Sequence, residues 1–463
     1  MPENTTIAAI ATGPGGALAL IRVSGPEAIA VTDRVFWHPG GKRLADQPGF
    51  SIAYGDIRDG TRTVDDVLVS VFRAPRSYTG DDMAEISCHG SPYIQQEILR
   101  LLLCKGAVAA APGEFTLRAF LHGKMGLLQA EAVADVIASD SRASHALAAN
   151  QMRGGYSEEF RALRGRLIEV ASLVELELDF GEEEVEFADR SQLLLLIDAI
   201  GEKIDSLKSS FALGNVIKNG VPVAIVGPPN VGKSTLLNAL LKENRALVSD
   251  IAGTTRDLIE EEITLGGIRF RFIDTAGIRT TDDTLESMGI ERTLQRMEQA
   301  AIVLLLTDIA DDPAVLPVRI ESLNLSTGQS LAIVLNKSDL LSEDELTART
   351  EEWQRVWAET SFFALSAKSG QGLPQLSDYL CAAIRDERIE RGDVIVSNVR
   401  HHEALIRASE SLQHARAALT SALSGDLLSE DLRGVIHALD LITGDITTDD
   451  ILSSIFSKFC IGK

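Results

Sequence analysis

The sequence predicts a multidomain chain in which an N-terminal α+β domain precedes an α-helical bundle, with an α/β domain inserted into that bundle. Three observations carry this. Short apolar runs broken by Gly and Pro fill the first part. Apolar residues at helical spacing stand on both sides of the middle. The middle itself opens with a buried-strand run and a GxxxxGKS loop, the start of a P-loop α/β fold.

A chain of 463 residues exceeds one hydrophobic core and splits into two to four domains. The patterns place boundaries at 1–121, 122–216, 217–384 and 385–463, the second and fourth segments together forming the bundle. Its 45% hydrophobic and 24% charged residues are those of an ordinary folded protein. With 44 Lys and Arg against 67 Asp and Glu, the net charge of −23 excludes a general sink for nucleic acid or anionic membrane. An RNA partner would have to meet a local basic patch.

Cys88, Cys104, Cys381 and Cys460 form no CxxC pair, so neither a zinc site nor a disulfide framework is expected, and a reducing, cytoplasmic compartment fits. No leader pattern opens the chain and no run of about 18 apolar residues occurs, so no membrane association is expected.

Along the N-terminal part, runs such as Val67-Leu68-Val69-Ser70-Val71-Phe72 predict strands between Gly and Pro turns. After Pro112-Gly113-Glu114 the spacing becomes helical: Leu163, Leu167, Val170, Val174 and Leu178 mark one face of a long helix, and Leu193, Ile197, Ile200, Ile204 and Leu207 another. The same spacing returns at Leu405, Ala408, Leu412, Ala415, Leu419 and Ala422, which predicts that the flanks pack together with the two ends of the insert close. The acidic stretch 178–187 contains no His and is read as a solvated connection rather than a carboxylate metal site.

The insert begins with Val221–Val226 and then Gly227-Pro228-Pro229-Asn230-Val231-Gly232-Lys233-Ser234, with Thr235 opening an apolar helix. Backbone N–H groups of such a loop, gathered at a helix N-terminus, are the dense donor array that a polyphosphate requires. Lys233 adds a point charge toward the β and γ phosphates, and the Ser234 hydroxyl suits Mg²⁺. A second strand leads to Asp274-Thr275-Ala276-Gly277, placed to hold the magnesium through water and the γ-phosphate by an N–H. After a third comes Asn336-Lys337-Ser338-Asp339, whose Asp339 carboxylate accepts two N–H bonds that guanine offers and adenine lacks. Ser366-Ala367-Lys368 completes the base pocket with a backbone N–H. Four such motifs in this order, each at a strand end, predict a GTP-binding domain of doubly wound type.

Its hydrolysis machinery departs from that of small GTPases. Ile278 follows Asp274-Thr275-Ala276-Gly277 where a water-orienting glutamine is common, and an aliphatic side chain cannot replace it. Arg256 and Arg279 adjoin the switch loops and are candidates for neutralising transition-state charge. Asn230 in the loop, with Ser249-Asp250-Ile251-Ala252-Gly253-Thr254-Thr255, suggests a monovalent cation, potassium, in the place of an arginine finger.

In these motifs and in its flanks the chain resembles the MnmE (TrmE) family of tRNA-modifying GTPases. The resemblance implies that Ser249, Ile251 and Thr254 join Asn230 around K⁺, that Thr255 joins Ser234 on Mg²⁺, and that Glu286, twelve residues after Asp274, positions the attacking water. Phe456-Ser457-Lys458-Phe459-Cys460-Ile461-Gly462-Lys463 looks like the family's FxxFCIGK signature. Cys460 itself reads either as a nucleophile or as a small buried apolar residue.

The N-terminal domain, with Ile21-Arg22-Val23-Ser24-Gly25, Ser77-Tyr78-Thr79-Gly80-Asp81-Asp82 and Cys88-His89-Gly90, is similar to the family's folate-binding and dimerisation domain. By that similarity Arg22, Glu85, Lys124 and Lys463 would contact 5-formyl-tetrahydrofolate or a related folate. The loop 11–17 is shorter than usual and Ser91 replaces a second Gly, so loop contacts to the folate are not carried over.

The family's function would then be expected here: a potassium-dependent homodimeric GTPase that, with a flavin (FAD)-containing partner, modifies carbon 5 of the wobble uridine of tRNA. A ribosome-assembly GTPase, a dynamin-like membrane remodeller and a GTP-regulated folate enzyme acting on a small molecule are the alternatives. Against the first, no GXXG-containing tail follows the insert; against the second stands the charge of −23.

Overall fold

The computed structural model describes residues 5–179, 190–245, 260–274, 300–326, 328–358, 360–384, 393–421 and 425–463. The chain divides into two compact units, one of Met1–Ile137, Asn150–Gly201 and Arg407–Lys463, the other of Ala138–Ala149 and Glu202–Ile406.

In the first unit, β1 (Ile7–Ile10), β2 (Leu18–Ser24), β3 (Phe36–Trp37), β4 (Ser51–Asp59), β5 (Arg62–Phe72), β6 (Met83–His89) and β7 (Val108–Ala109) form a sheet in the order β3-β4-β5-β6-β2-β1-β7. All neighbours run antiparallel except β1 and β7. The period of two is visible in β5, where Val67, Val69 and Val71 are buried while Leu68 points away. That buried face packs on the helices Ala28–Asp33 and Pro92–Cys104, whose Ile29, Val31, Ile98 and Leu102 share a core with Ile21, Val23 and Ile86. On the other face, Phe115 of the helix Glu114–Leu121 covers Ile7 and Ala9.

The helical part of this unit follows the apolar spacing. Leu163, Leu167, Val170 and Val174 are buried along the helix Gly155–Asp179, which packs on the helix Gly425–Thr443 and is joined to it by Arg164 with Asp440 and by Arg433 with Glu175 at 2.7 Å. Asp198 of the helix Arg190–Ser209 accepts from Arg416 of the helix Val399–Thr420, so the flanking runs do meet. The last helix, Asp449–Phe456, and Phe459 beyond it bury Ile455, Phe456 and Phe459 against Leu117, Leu127 and Ala130.

The second unit is built on β8 (Val221–Val226), β9 (Glu260–Leu265), β10 (Ile268–Asp274), β11 (Ile302–Asp308), β12 (Ser330–Asn336) and β13 (Ser361–Ala364), in the order β13-β12-β11-β8-β10-β9. Five strands are parallel, and only β9 runs antiparallel beside β10. Every residue of β8 is buried, as a parallel strand with helices on both faces requires. Val221, Val223 and Ile225 face Leu236 and Leu240 of the helix Lys233–Arg245 together with Leu376 and Leu380, while Ala224 and Val226 face Leu316, Ile320 and Trp353. At about 1.5–3 kcal/mol for each large apolar side chain removed from water, this strand is a firm support for whatever leaves its end.

Where the chain leaves for the inserted sheet and returns from it, it is pinned. Ser210 Oγ accepts from the Val396 N–H at 3.0 Å, and a Cβ on Gly214 would stand 2.1 Å from the Val396 carbonyl oxygen.

Among the described residues, no helix is long and apolar enough to cross a membrane.

Candidate functional site

All four nucleotide motifs leave the carboxyl ends of parallel strands, the edge at which doubly wound sheets bind ligands. Gly227 follows β8; Asp274 ends β10, in register with Ile225; Asn336 ends β12, in register with Asp308; Ser366 lies just beyond β13. β8 lies between β11 and β10, so the loop after it has neighbouring strand ends on both sides.

Two glycines in that loop are required by space. A Cβ at Gly227 would stand 2.1 Å from the Leu306 carbonyl oxygen, and one at Gly232 only 2.3 Å from Asn336 Nδ2. Asn230 between them takes a positive φ of 63°, unusual for a residue with a side chain, and is exposed. The loop runs directly into the helix Lys233–Arg245, so the first-turn amides and the positive end of the helix dipole point to one place. Lys233 Nζ lies over this ring, donating to the Gly227 and Pro228 carbonyls at 2.7 and 2.9 Å. Ser234 and Thr235 stand exposed on the first helical turn. The result is a compact, preorganised anion site.

A tie between this loop and the base-recognition loops escaped the sequence reading. Asn336 is 3% exposed; its Nδ2 donates to the Val231 carbonyl at 2.7 Å and its Oδ1 accepts from the Ala367 N–H at 2.9 Å. One amide therefore fixes the phosphate loop against Ser366-Ala367-Lys368. The Ser366 N–H is also committed, to the Gln371 carbonyl at 2.9 Å. Asp339 is exposed in the short helix Ser338–Leu340.

Lys337, at φ 68°, reaches back to Asp308 with Nζ 2.7 Å from Oδ2. Its hydrogen bond and charge raise the Lys337 pKa. For Asp308, burial pushes the pKa up, but the bond from Lys337 and the Ala310 N–H outweigh it and hold the carboxyl below its ordinary value. Asp308 was missed because only the register of β11 against β12 brings it beside Asn336. The one signal was an acidic residue closing an apolar strand.

Ser249, Asp250, Ile251, Ala252, Gly253, Thr254, Thr255, Arg256, Thr275, Ala276, Gly277, Arg279 and Glu286 lie outside the described residues, as does most of the acidic stretch.

In the first unit, the structure brings Arg22, Glu85 and the tail together. Arg22 Nε and Nη2 donate to Glu85 Oε1 at 2.9 and 2.7 Å, and Nη1 donates to the Gly462 carbonyl at 3.3 Å. The guanidinium lies over the rings of Tyr78 and Phe115, 5.3 and 5.6 Å from their centroids. Gly462 is held tightly, since a Cβ there would stand 2.6 Å from the Ile10 carbonyl oxygen. Lys463 is the neighbour of that glycine, whereas Lys124 is bonded to the Pro75 carbonyl in the loop between β5 and β6. Arginine, carboxylate and backbone carbonyl form a small polar cluster beside two aromatic rings.

The two cysteines of interest differ. Cys88 is buried, and burial together with the Asp65 charge pushes its thiol up to about 11. Cys460 is exposed, against its reading as a buried apolar residue. Ser91 stands at the N-cap of the helix Pro92–Cys104.

A model of the MnmE helical domain matches residues 127–460, and one of the GTP-binding protein TrmE N-terminus matches residues 6–124. The chain is 51% identical over 464 residues to the tRNA modification GTPase MnmE of Bacteroides fragilis and 50% identical over 474 residues to that of Christiangramia forsetii, covering 100% of both partners in each case. Among solved structures, the FeoB G-domain from Methanococcus jannaschii matches 36% of this chain and 98% of its own at 24% identity and a TM-score of 0.26.

Proposed function

The chain belongs to the MnmE family of tRNA modification GTPases, and from that premise we propose that it hydrolyses GTP in the course of modifying carbon 5 of the wobble uridine of tRNA. It does so as a homodimer with a flavin-containing partner, in the cytoplasm, adding an aminomethyl-type group whose one-carbon unit comes from a folate.

The observation that carries the reading is the Asn336 amide joining the phosphate loop to the loop of Ser366-Ala367-Lys368. A site so braced receives triphosphate and purine as one rigid object, which favours preorganised recognition over adaptation. Gly227, Asn230, Val231, Gly232, Lys233, Ser234 and Thr235 receive the phosphates by backbone N–H and ammonium. Asp339 accepts the two guanine N–H bonds, and Asn336 and Lys337 hold the pocket's walls.

The residues fit the cations this reading requires. The exposed Ser234 hydroxyl is an oxygen donor for Mg²⁺, with Thr255 as its companion, and the exposed Asn230 amide is one for K⁺, with Ser249, Ile251 and Thr254 completing the set. When bound, the two cations supply positive charge to the transferring phosphoryl group. Glu286 orients the attacking water, and Arg256 and Arg279 are the candidates for adding positive charge. In the N-terminal domain, Arg22, Glu85, Lys124 and Lys463 hold 5-formyl-tetrahydrofolate or a relative.

Two measurements test this. In calorimetry the chain binds GDP at least a hundredfold more tightly than ADP; equal binding would remove the foundation. Mass spectrometry of tRNA from cells lacking the protein shows the wobble uridine unmodified; a normal modification profile would leave GTP binding standing but refute the tRNA role.

A further inference from the structure

Arg269 lies far from the phosphate loop, and the functional reading gives it no task. It belongs to β10 just after the Gly266-Gly267 turn, whose φ values of 56° and 82° make the tight hairpin between β9 and β10. Its side chain is 19% exposed and joins three pieces of chain. Nη1 pairs with Asp140 and lies 3.6 Å from Glu262 of β9. Nη2 donates to the Lys218 carbonyl at 3.3 Å, near the C-terminal end of the helix Phe211–Asn219, where a cation is favoured. Beside it the Ala143 N–H donates to the Gly267 carbonyl at 3.1 Å. A Cβ at Gly267 would stand 3.1 Å from Arg142 Cβ.

The other end of the same strand is Asp274, beside the strand that feeds the phosphate loop. At about 3.3 Å per residue, Arg269 and Asp274 are roughly 16 Å apart along one hydrogen-bonded strand. Residues Ala138–Ala149 belong to this unit, and the chain passes to the other at Asn150, within the helix Arg142–Met152. Strand β10 thus has the nucleotide motif at one end and, at the other, a guanidinium fastened to a stretch that continues out of the unit.

We propose that Arg269 with Asp140 is the joint at which residues 138–149 sense whether GDP or GTP is bound. A displacement of Asp274 moves a strand that does not stretch, and the fork of Arg269 carries the movement to Asp140. This rests on the proposed reading of the site as a GTP site.

The test is amide hydrogen exchange on the full-length chain, loaded with GDP or with a non-hydrolysable GTP analogue. In the unaltered protein, exchange in peptides covering 138–149 differs at least threefold between the two nucleotides. Asp140→Ala, Asp140→Asn and Arg269→Lys abolish that difference, with calorimetric GDP affinity and GTP turnover within threefold of the unaltered chain. Asp140 is 43% exposed, so its variants keep the fold, which an unchanged melting temperature verifies. The same exchange with both nucleotides in the unaltered chain, or a difference that survives in all three variants, would overturn the joint. Calorimetry is run first: absence of guanine-nucleotide binding would overturn the functional reading itself and the joint with it.

Discussion

Replacing Asn336 by Ala would remove both hydrogen bonds that join the phosphate loop to the base loop. The side chain is 3% exposed, so the Val231 carbonyl and the Ala367 N–H lose their partner with little access to water. Each buried group left unpaired costs about 1–3 kcal/mol, so the pair costs about 2–6 kcal/mol. Where the bound state must restore the positions those contacts held, 1.4 kcal/mol for each factor of ten makes the lower end a loss of up to about 30-fold in GDP affinity, the rest appearing as lost stability. Asn336→Asp separates the two bonds, because it keeps an acceptor for Ala367 but sets a carboxylate oxygen against the Val231 carbonyl. It is expected to be no better than Ala. Titration calorimetry at 25 °C gives the affinity, and a denaturant midpoint separates loss of the site from loss of the fold. A GDP affinity within twofold of the unaltered protein, with an unchanged midpoint, would refute the bracing role.

Gly232→Ala forces a methyl to within 2.3 Å of Asn336 Nδ2 and is expected to reduce nucleotide affinity by at least tenfold in the same titration. Asp339→Asn exchanges an acceptor for a donor and should shift preference from guanosine to xanthosine nucleotides, read by competition binding; unchanged preference would argue against its contact with the base. The Asp308 carboxyl has its pKa lowered in the folded chain, so its stabilisation is present above the ordinary unfolded value near 4 and fades as the pH falls through the lower folded one. The advantage over Asp308→Asn, small because Lys337 is 39% exposed, is therefore expected at pH 7 and should shrink below about pH 4 in acid-denaturation curves. GTP turnover should be faster in potassium than in sodium at equal ionic strength, and Arg22→Met should weaken 5-formyl-tetrahydrofolate binding at least tenfold without altering that turnover.

What the sequence could reveal was local. The six apolar residues of β8, the glycines at either end of the phosphate loop and the apolar run 67–72 each encode their structure within a few neighbouring positions, and both runs are strands. The helical spacing likewise placed Leu163, Leu167, Val170 and Val174 on a buried face. Contacts made by distant residues left no such trace. Asn336 and Val231 are 105 positions apart, and Arg269 and Asp140 are 129 apart. Neither pairing alters the periodicity around its members, since a polar residue at a strand end reads the same whether it faces water or a partner. The grouping of Ala138–Ala149 with the inserted sheet was hidden for the same reason, because a helix shows which face is apolar but not which neighbour covers it.

The bond between Ser210 and Val396 has a consequence for protein engineering. A long excursion of the polypeptide begins and finishes at almost the same spot, so its removal leaves stumps that a few glycines can rejoin. The excursion is in effect a cartridge: a homologous module can be joined at the same pair of ends, provided that it keeps the partners of Asp140 and Ala143.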